Sequence, residues 1–221
     1  MNNQLSPFIQ AFNHSIRDAE IFLCITRDSE LQRTALETLR TKIEEVSIEK
    51  RAAIEAQDED YANLLLGCQC VARALTAEIK MWLFLKGGNP DAAWDELVAA
   101  QMASIDAVRA HDGFHQLEQN NRKLEAIESL IFPPQVFISS GLVVNTQECS
   151  ICAKEYEDCE HLVGKPYMGT FCHINARGLK ADHVALVKDP ADKRCRVTQF
   201  GVEGGNRNRM TWKVHSRSHD V

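Results

Sequence analysis

Cys149-Ser-Ile-Cys152-Ala-Lys-Glu-Tyr-Glu-Asp-Cys159-Glu-His161 decides how the last third of this 221-residue chain folds. Cys-x2-Cys places two thiols on one tight turn, and the backbone amides of such a turn can donate to the sulfurs. Cys159 and His161 supply a second pair after a six-residue spacer that contains Tyr156. A strand aims residues two apart at one face, and a turn brings them together equally well. Three thiolates and one imidazole complete a closed tetrahedral Zn²⁺ shell with no open position for water or substrate. The expected ligands are therefore Cys149, Cys152, Cys159 and His161, and the expected metal is structural zinc. Cys172, His173, His183 and Cys195 are further candidates, any of which can replace one of the four. The compact quartet is preferred because it orders the shortest loop of chain.

Outward from this run, Pro133-Pro134 separates two regions, since proline lacks an amide donor and drives its predecessor out of the helical basin. The expected division is a helical bundle over 1–132 and a zinc-binding module with short strands and a basic tail over 133–221. Upstream, the apolar residues recur at helical spacing. Ser6-Pro7 opens a first helix carrying Phe8, Phe12, Ile16, Ala19 and Phe22. A second starts at Asp28 or Ser29 and runs to about Ala56, with Leu31, Ala35, Leu39, Ile43 and Val46 in one stripe. A third runs from Asp58 to Gly87-Gly88, where glycine can adopt the left-handed conformation that ends helices. Asn89-Pro90-Asp91 opens a fourth, Asp112-Gly113 interrupts it, and Phe114 to Ile131 forms a fifth. Short connections make successive helices antiparallel.

Downstream, Val136-Phe137-Ile138 and Leu142-Val143-Val144 flank Ser139-Ser140-Gly141, which reads as a small hairpin. Further strands are expected at His183 to Val187 and Arg196 to Val202. The fold class is thus α+β, mainly α. The second part is too small for much of a core, and a metal compensates for that.

The run Cys149-Ser-Ile-Cys152, Cys159-Glu-His161, Gly164-Lys-Pro-Tyr167-Met-Gly169 resembles a small zinc-binding module met in proteins of phages and bacterial mobile elements. Ala181-Asp-His183-Val-Ala-Leu-Val-Lys-Asp-Pro190 is similar to the strand and turn that commonly follow it. The likeness covers roughly residues 145–200, with Ala153 standing where the module usually has glycine. The resemblance implies metal binding and no particular activity.

Composition narrows the rest. Thirteen basic against 21 acidic residues lie through Asn145, and 12 against 10 lie beyond it, for a net charge of −6. An acidic body repels polyanions, whereas the basic tail (Arg194, Arg196, Arg207, Arg209, Lys213, Arg217, with Phe200 and Trp212) can touch one. The same composition also describes a soluble, poorly ordered terminus, which is the preferred expectation. Eight cysteines without an export signal suggest reduced thiols and a cytoplasmic setting. Ala62 to Leu85 is interrupted by Arg73, Glu78 and Lys80, so it reads as a buried helix rather than a membrane span.

Enzymatic motifs are sparse. No glycine-rich phosphate loop and no Gly-x-Ser-x-Gly elbow is present. Asp182-His183 with Asn206 or Asn208 imitates an HNH-type metal-dependent nuclease. His111-Asp112-Gly113-Phe114-His115 imitates a zincin, but Asp-Gly falls at the helix break. Glu44-Glu45 is a solvated face, and Asp58-Glu59-Asp60 complements a helix start. The expected function is a non-catalytic zinc-binding interaction protein, an accessory subunit of a larger complex, with a protein partner. The alternative is a nucleic-acid-binding protein or HNH-like nuclease using the C-terminal module. No small-molecule substrate and no membrane partner is expected.

Overall fold

The computed structural model describes residues 6–216. Five α-helices come first: α1 (Pro7–Glu20), α2 (Ser29–Glu55), α3 (Glu59–Lys86), α4 (Pro90–Ala110) and α5 (Glu118–Ile131). Side-chain caps start four of them, as short polar residues do when they satisfy the first free amides. Ser6 accepts from Ile9, Asp28 from Glu30 and Leu31, Asp58 from Tyr61, and Asn89 from Ala92. Gly88, at φ +69°, then lets the chain leave α3. The fifth helix starts later than its sequence pattern suggests. Asp112–Leu117 forms a 3₁₀ turn first, with His111 Nδ1 accepting from Gly113 N at 2.9 Å.

The helix α3 is the central element, buried on nearly all sides. Such all-round burial follows from its small and apolar residues. Toward its start, α3 packs with α1 and α2 around Phe12, Leu39, Val46 and Leu65. Toward its end it packs with α4 and α5 around Met81, Trp94, Leu97 and Leu124. Within this layer Glu78 is buried and meets Lys123 Nζ at 2.6 Å.

Nine short strands follow: β1 (Phe137–Val143), β2 (Thr146–Cys149), β3 (Pro166–Tyr167), β4 (Thr170–Phe171), β5 (Ile174–Arg177), β6 (Lys180–Val187), β7 (Gln199–Val202), β8 (Gly205–Asn208) and β9 (Val214–His215). All pairings are antiparallel: β1 with β6, β2 with β5, β3 with β4, and β7-β8-β9 as one sheet.

Three expectations are corrected here. The stretch 137–143 is one continuous strand, not a hairpin, and its partner lies forty residues on in β6. Gly141 makes no turn. It clears space for His183, because a Cβ there would meet the imidazole Cε1 at 2.3 Å. The basic tail is likewise ordered through Ser216, with Arg217 outside the described residues. Its order comes from α4, where Asp91 accepts from Arg196 Nη2 and Asn208 Nδ2, each at 2.7 Å. Trp94 Nε1 donates to Lys193 O at 3.0 Å, and Lys193 Nζ reaches Glu128 at 2.7 Å. The strand expected from Arg196 is confined to Gln199–Val202, since Arg196 makes only an isolated bridge to Phe137.

The opposite end of the β region also docks on the helices. Met168 (φ +43°) and Gly169 (φ +71°) form the two-residue turn between β3 and β4. Positive φ at both central positions marks the turn whose twist suits a hairpin. Gly169 N donates to Asn63 Oδ1 at 2.8 Å, and Lys50 Nζ donates to Gly169 O at 2.9 Å.

Candidate metal centre

Cys149 ends β2, and the next five residues fold back on it. Ala153 N donates to Cys149 O at 2.9 Å, and Cys149 N donates to Lys154 O at 2.8 Å. Closing so tight a loop puts Ala153 at φ +57°. That is the left-handed region, which costs a residue with a Cβ roughly 1–2 kcal/mol. The knuckle aims amides at sulfur, with Ile151 N 3.4 Å from Cys149 Sγ. A 3₁₀ turn at Tyr156–Asp158 then delivers Cys159 and His161 to the same point.

The ligand atoms of Cys149, Cys152, Cys159 and His161 all lie within 4.8 Å of one another. Among the described residues this is the one group of three or more His, Cys, Asp or Glu so arranged. Two tyrosines frame it. Tyr156 Oη accepts from Val163 N at 3.3 Å, and Tyr167 Oη accepts from Leu162 N at 3.0 Å. The His161 ring stands edge-on to Tyr167, with centroids 4.7 Å apart. His161 Nδ1 is buried and bonded to no protein group. A buried polar atom without a partner calls for one, and a metal ion is a partner that both imidazole and thiolate accept.

The thiols are tuned against one another. Burial alone raises the Cys149 thiol, but the Cys152 and Ile151 amides, with the Cys152 and Cys159 side chains, bring it down to about 6. Cys159 and Cys172 are pushed up, first by burial and then by their contact with Cys149. One thiolate forms readily and discourages its neighbours, and a dication would relieve that repulsion. Cys68 and Cys70, inside α3, are raised to about 12 by burial and behave as small apolar residues.

Cys172 is the residue that spacing alone placed least well. Its Sγ lies 3.8 Å from Cys149 Sγ, because Ser150 and the chain at 173 hydrogen-bond across β2 and β5. It flanks the quartet without joining it. His173 is exposed, with Nδ1 3.4 Å from Phe171 O. Cys195 is exposed beside Asp192. His183 lies on β6, its Nδ1 3.0 Å from Asp182 Oδ2. Asn206 and Asn208 belong to β8, where Asn208 is engaged with Asp91. The two histidines of the zincin-like run diverge: His111 pairs with Asp60 at 3.3 Å, while His115 faces Asp112 and Glu118.

Comparison with protein-family models, curated proteins and solved structures finds no match. Among the described residues, no helix is long and apolar enough to cross a membrane.

Proposed function

We propose that this chain is a non-catalytic, zinc-stapled interaction protein, in which a helical scaffold displays a small β module to a protein partner in the cytoplasm. The observation that carries the proposal is the Cys₃His quartet within 4.8 Å, with the buried His161 Nδ1 left over. Three sulfurs and one imidazole suit Zn²⁺ among the common divalent ions, and four protein ligands leave it no reactive vacancy. The resemblance of residues 145–200 to small zinc modules supports the same metal. Removing such an ion unfolds what it holds, because site formation and folding are linked.

The partner is inferred from the β1–β6 ribbon. A two-stranded ribbon is marginal alone in water. Its outward face nevertheless carries Leu142, Val184 and Leu186, the last two 68% and 74% exposed. Exposed apolar patches of this kind mark contact surfaces. Metal analysis of protein purified without added zinc tests the first half: one zinc per chain is expected, lost in Cys149→Ser. Affinity capture with wild type and with Val184→Lys/Leu186→Lys tests the second. A partner retained equally by both, or none at all, removes the interaction reading.

A further inference from the structure

We infer that the outer face of the β7-β8-β9 sheet binds single-stranded nucleic acid, with Trp212 as the stacking platform. This surface is distinct from the metal centre and from the β1–β6 ribbon, and does not depend on either.

Six basic residues lie between Lys193 and Ser216, and Glu203 is the sole acid there. Three of the six are neutralised internally: Lys193 by Glu128, Arg194 by Asp192 and Arg196 by Asp91. The Lys193 and Arg196 pairs fasten the segment leading into the sheet to α5 and α4, while the Arg194–Asp192 pair is local. Arg207, Arg209 and Lys213 reach no carboxylate among the described residues. The charge left over is therefore positive, with Arg207 on β8 and Arg209 and Lys213 in the connection to β9, where Arg209 Nη2 also donates to Pro134 O at 3.4 Å.

Strand register sorts the side chains. Phe200, Arg207 and Val214 stand side by side across β7, β8 and β9. Asn208, the next residue after Arg207, points the opposite way, toward Asp91. Phe200 stands edge-on to Trp212, with centroids 6.1 Å apart, and the Arg207 guanidinium lies 5.6 Å above the Trp212 ring. Trp212 is 61% exposed.

That exposure is held in place rather than left to chance. Asn208 Oδ1 accepts from Met210 N and Thr211 N, each at 2.8 Å, building the turn that carries the indole. Trp212 itself sits at φ +58°. Bulky residues rarely adopt this conformation, and such strain persists where the surrounding structure imposes it. A folded protein normally hides tryptophan, yet here a strained turn presents it, with a cation over its face.

An exposed indole with guanidinium stacking and unpaired cations matches how single strands are held: bases stack on aromatic rings while the backbone follows positive charge. A duplex keeps its bases stacked on one another and offers no free face. The occupant is therefore a single-stranded polynucleotide.

The test uses the full chain and oligothymidylate of about 15 nucleotides, within the span of known single-strand sites. Trp82 and Trp94 are buried, so quenching of tryptophan emission reports Trp212. The expected result is quenching at low ionic strength, with a log–log salt slope of about −2 for three cations. By anisotropy of a labelled strand, Trp212→Ala should bind about tenfold more weakly. Trp212→Phe should recover part of the loss. Lys213→Glu, an exposed change, should weaken binding and flatten the slope. No binding at low salt, equal binding of a duplex, or binding that Trp212→Ala leaves unchanged would each overturn the inference.

Discussion

Asp91→Ala should detach the C-terminal sheet from the helices, and its cost can be worked from the contacts. Asp91 is the carboxylate beside the Arg196 guanidinium, whose side chain is only 2% exposed. Deleting one partner of a buried ion pair strands the other charge, at about 3–5 kcal/mol. The Asp91 side chain is itself about a third exposed. Water can therefore replace part of what is lost, and about 3 kcal/mol is the appropriate end of that range. Asn208 also loses its acceptor, which adds about 1 kcal/mol. The total of about 4 kcal/mol corresponds to a fall of roughly 10 °C in Tm for a chain of this length. Urea titration followed by Trp94 emission is the natural assay, since Arg196 lies 5.7 Å over the Trp94 ring. Glu37→Ala, which breaks the exposed Glu37–Arg40 pair, is the control and should cost under about 1 kcal/mol. Adding Arg196→Met should recover part of the loss, because the stranded charge is gone. If Asp91→Ala is no worse than Glu37→Ala, Asp91 is not the anchor of the tail.

Chelation should lower the melting temperature of the C-terminal third while far-UV circular dichroism of the helices persists; Cys149→Ser should reproduce this, and Cys68→Ser should keep its full zinc content. Acid should also release the metal: the Cys149 thiol is brought below its ordinary value, to about 6, so it is ionised at neutral pH and protonates as pH falls through that value. Bound zinc competes with protons for that sulfur, so zinc release followed with a chromogenic chelator should begin below pH 6 and be absent at pH 8. Ala153→Gly removes the left-handed strain of the knuckle and should stabilise the zinc-loaded protein by about 0.5–1 kcal/mol in thermal denaturation, after the extra freedom of glycine in the unfolded chain is counted.

The helices were legible because their signals are local. Ser6, Asp28, Asp58 and Asn89 each cap the helix their position announces, and the apolar stripes fall on the buried faces. The boundary before α5 was less clear, since His111 caps a 3₁₀ turn through its own imidazole. The quartet could be proposed because its members lie within thirteen residues, a distance over which the chain has little freedom. Cys172 could not be placed in the same way. Its approach to Cys149 depends on β2 pairing with β5, and nothing in the spacing states that pairing.

The β ribbon shows the opposite limit. Val136–Val144 has the composition of a hairpin, and turn formers sit at its middle. The partner it pairs with is β6, whose His183 needs the glycine as clearance. The tail likewise has the composition of a solvated terminus, yet Asp91 on α4 orders it from more than a hundred residues away. Helix type, caps and the clustering of metal-competent side chains are thus written into short stretches of this chain, because each depends on interactions a few residues apart. Which strands pair, where Cys172 lies and whether the basic end is ordered depend on contacts between distant segments, whose energies exist only once the helices have brought them together.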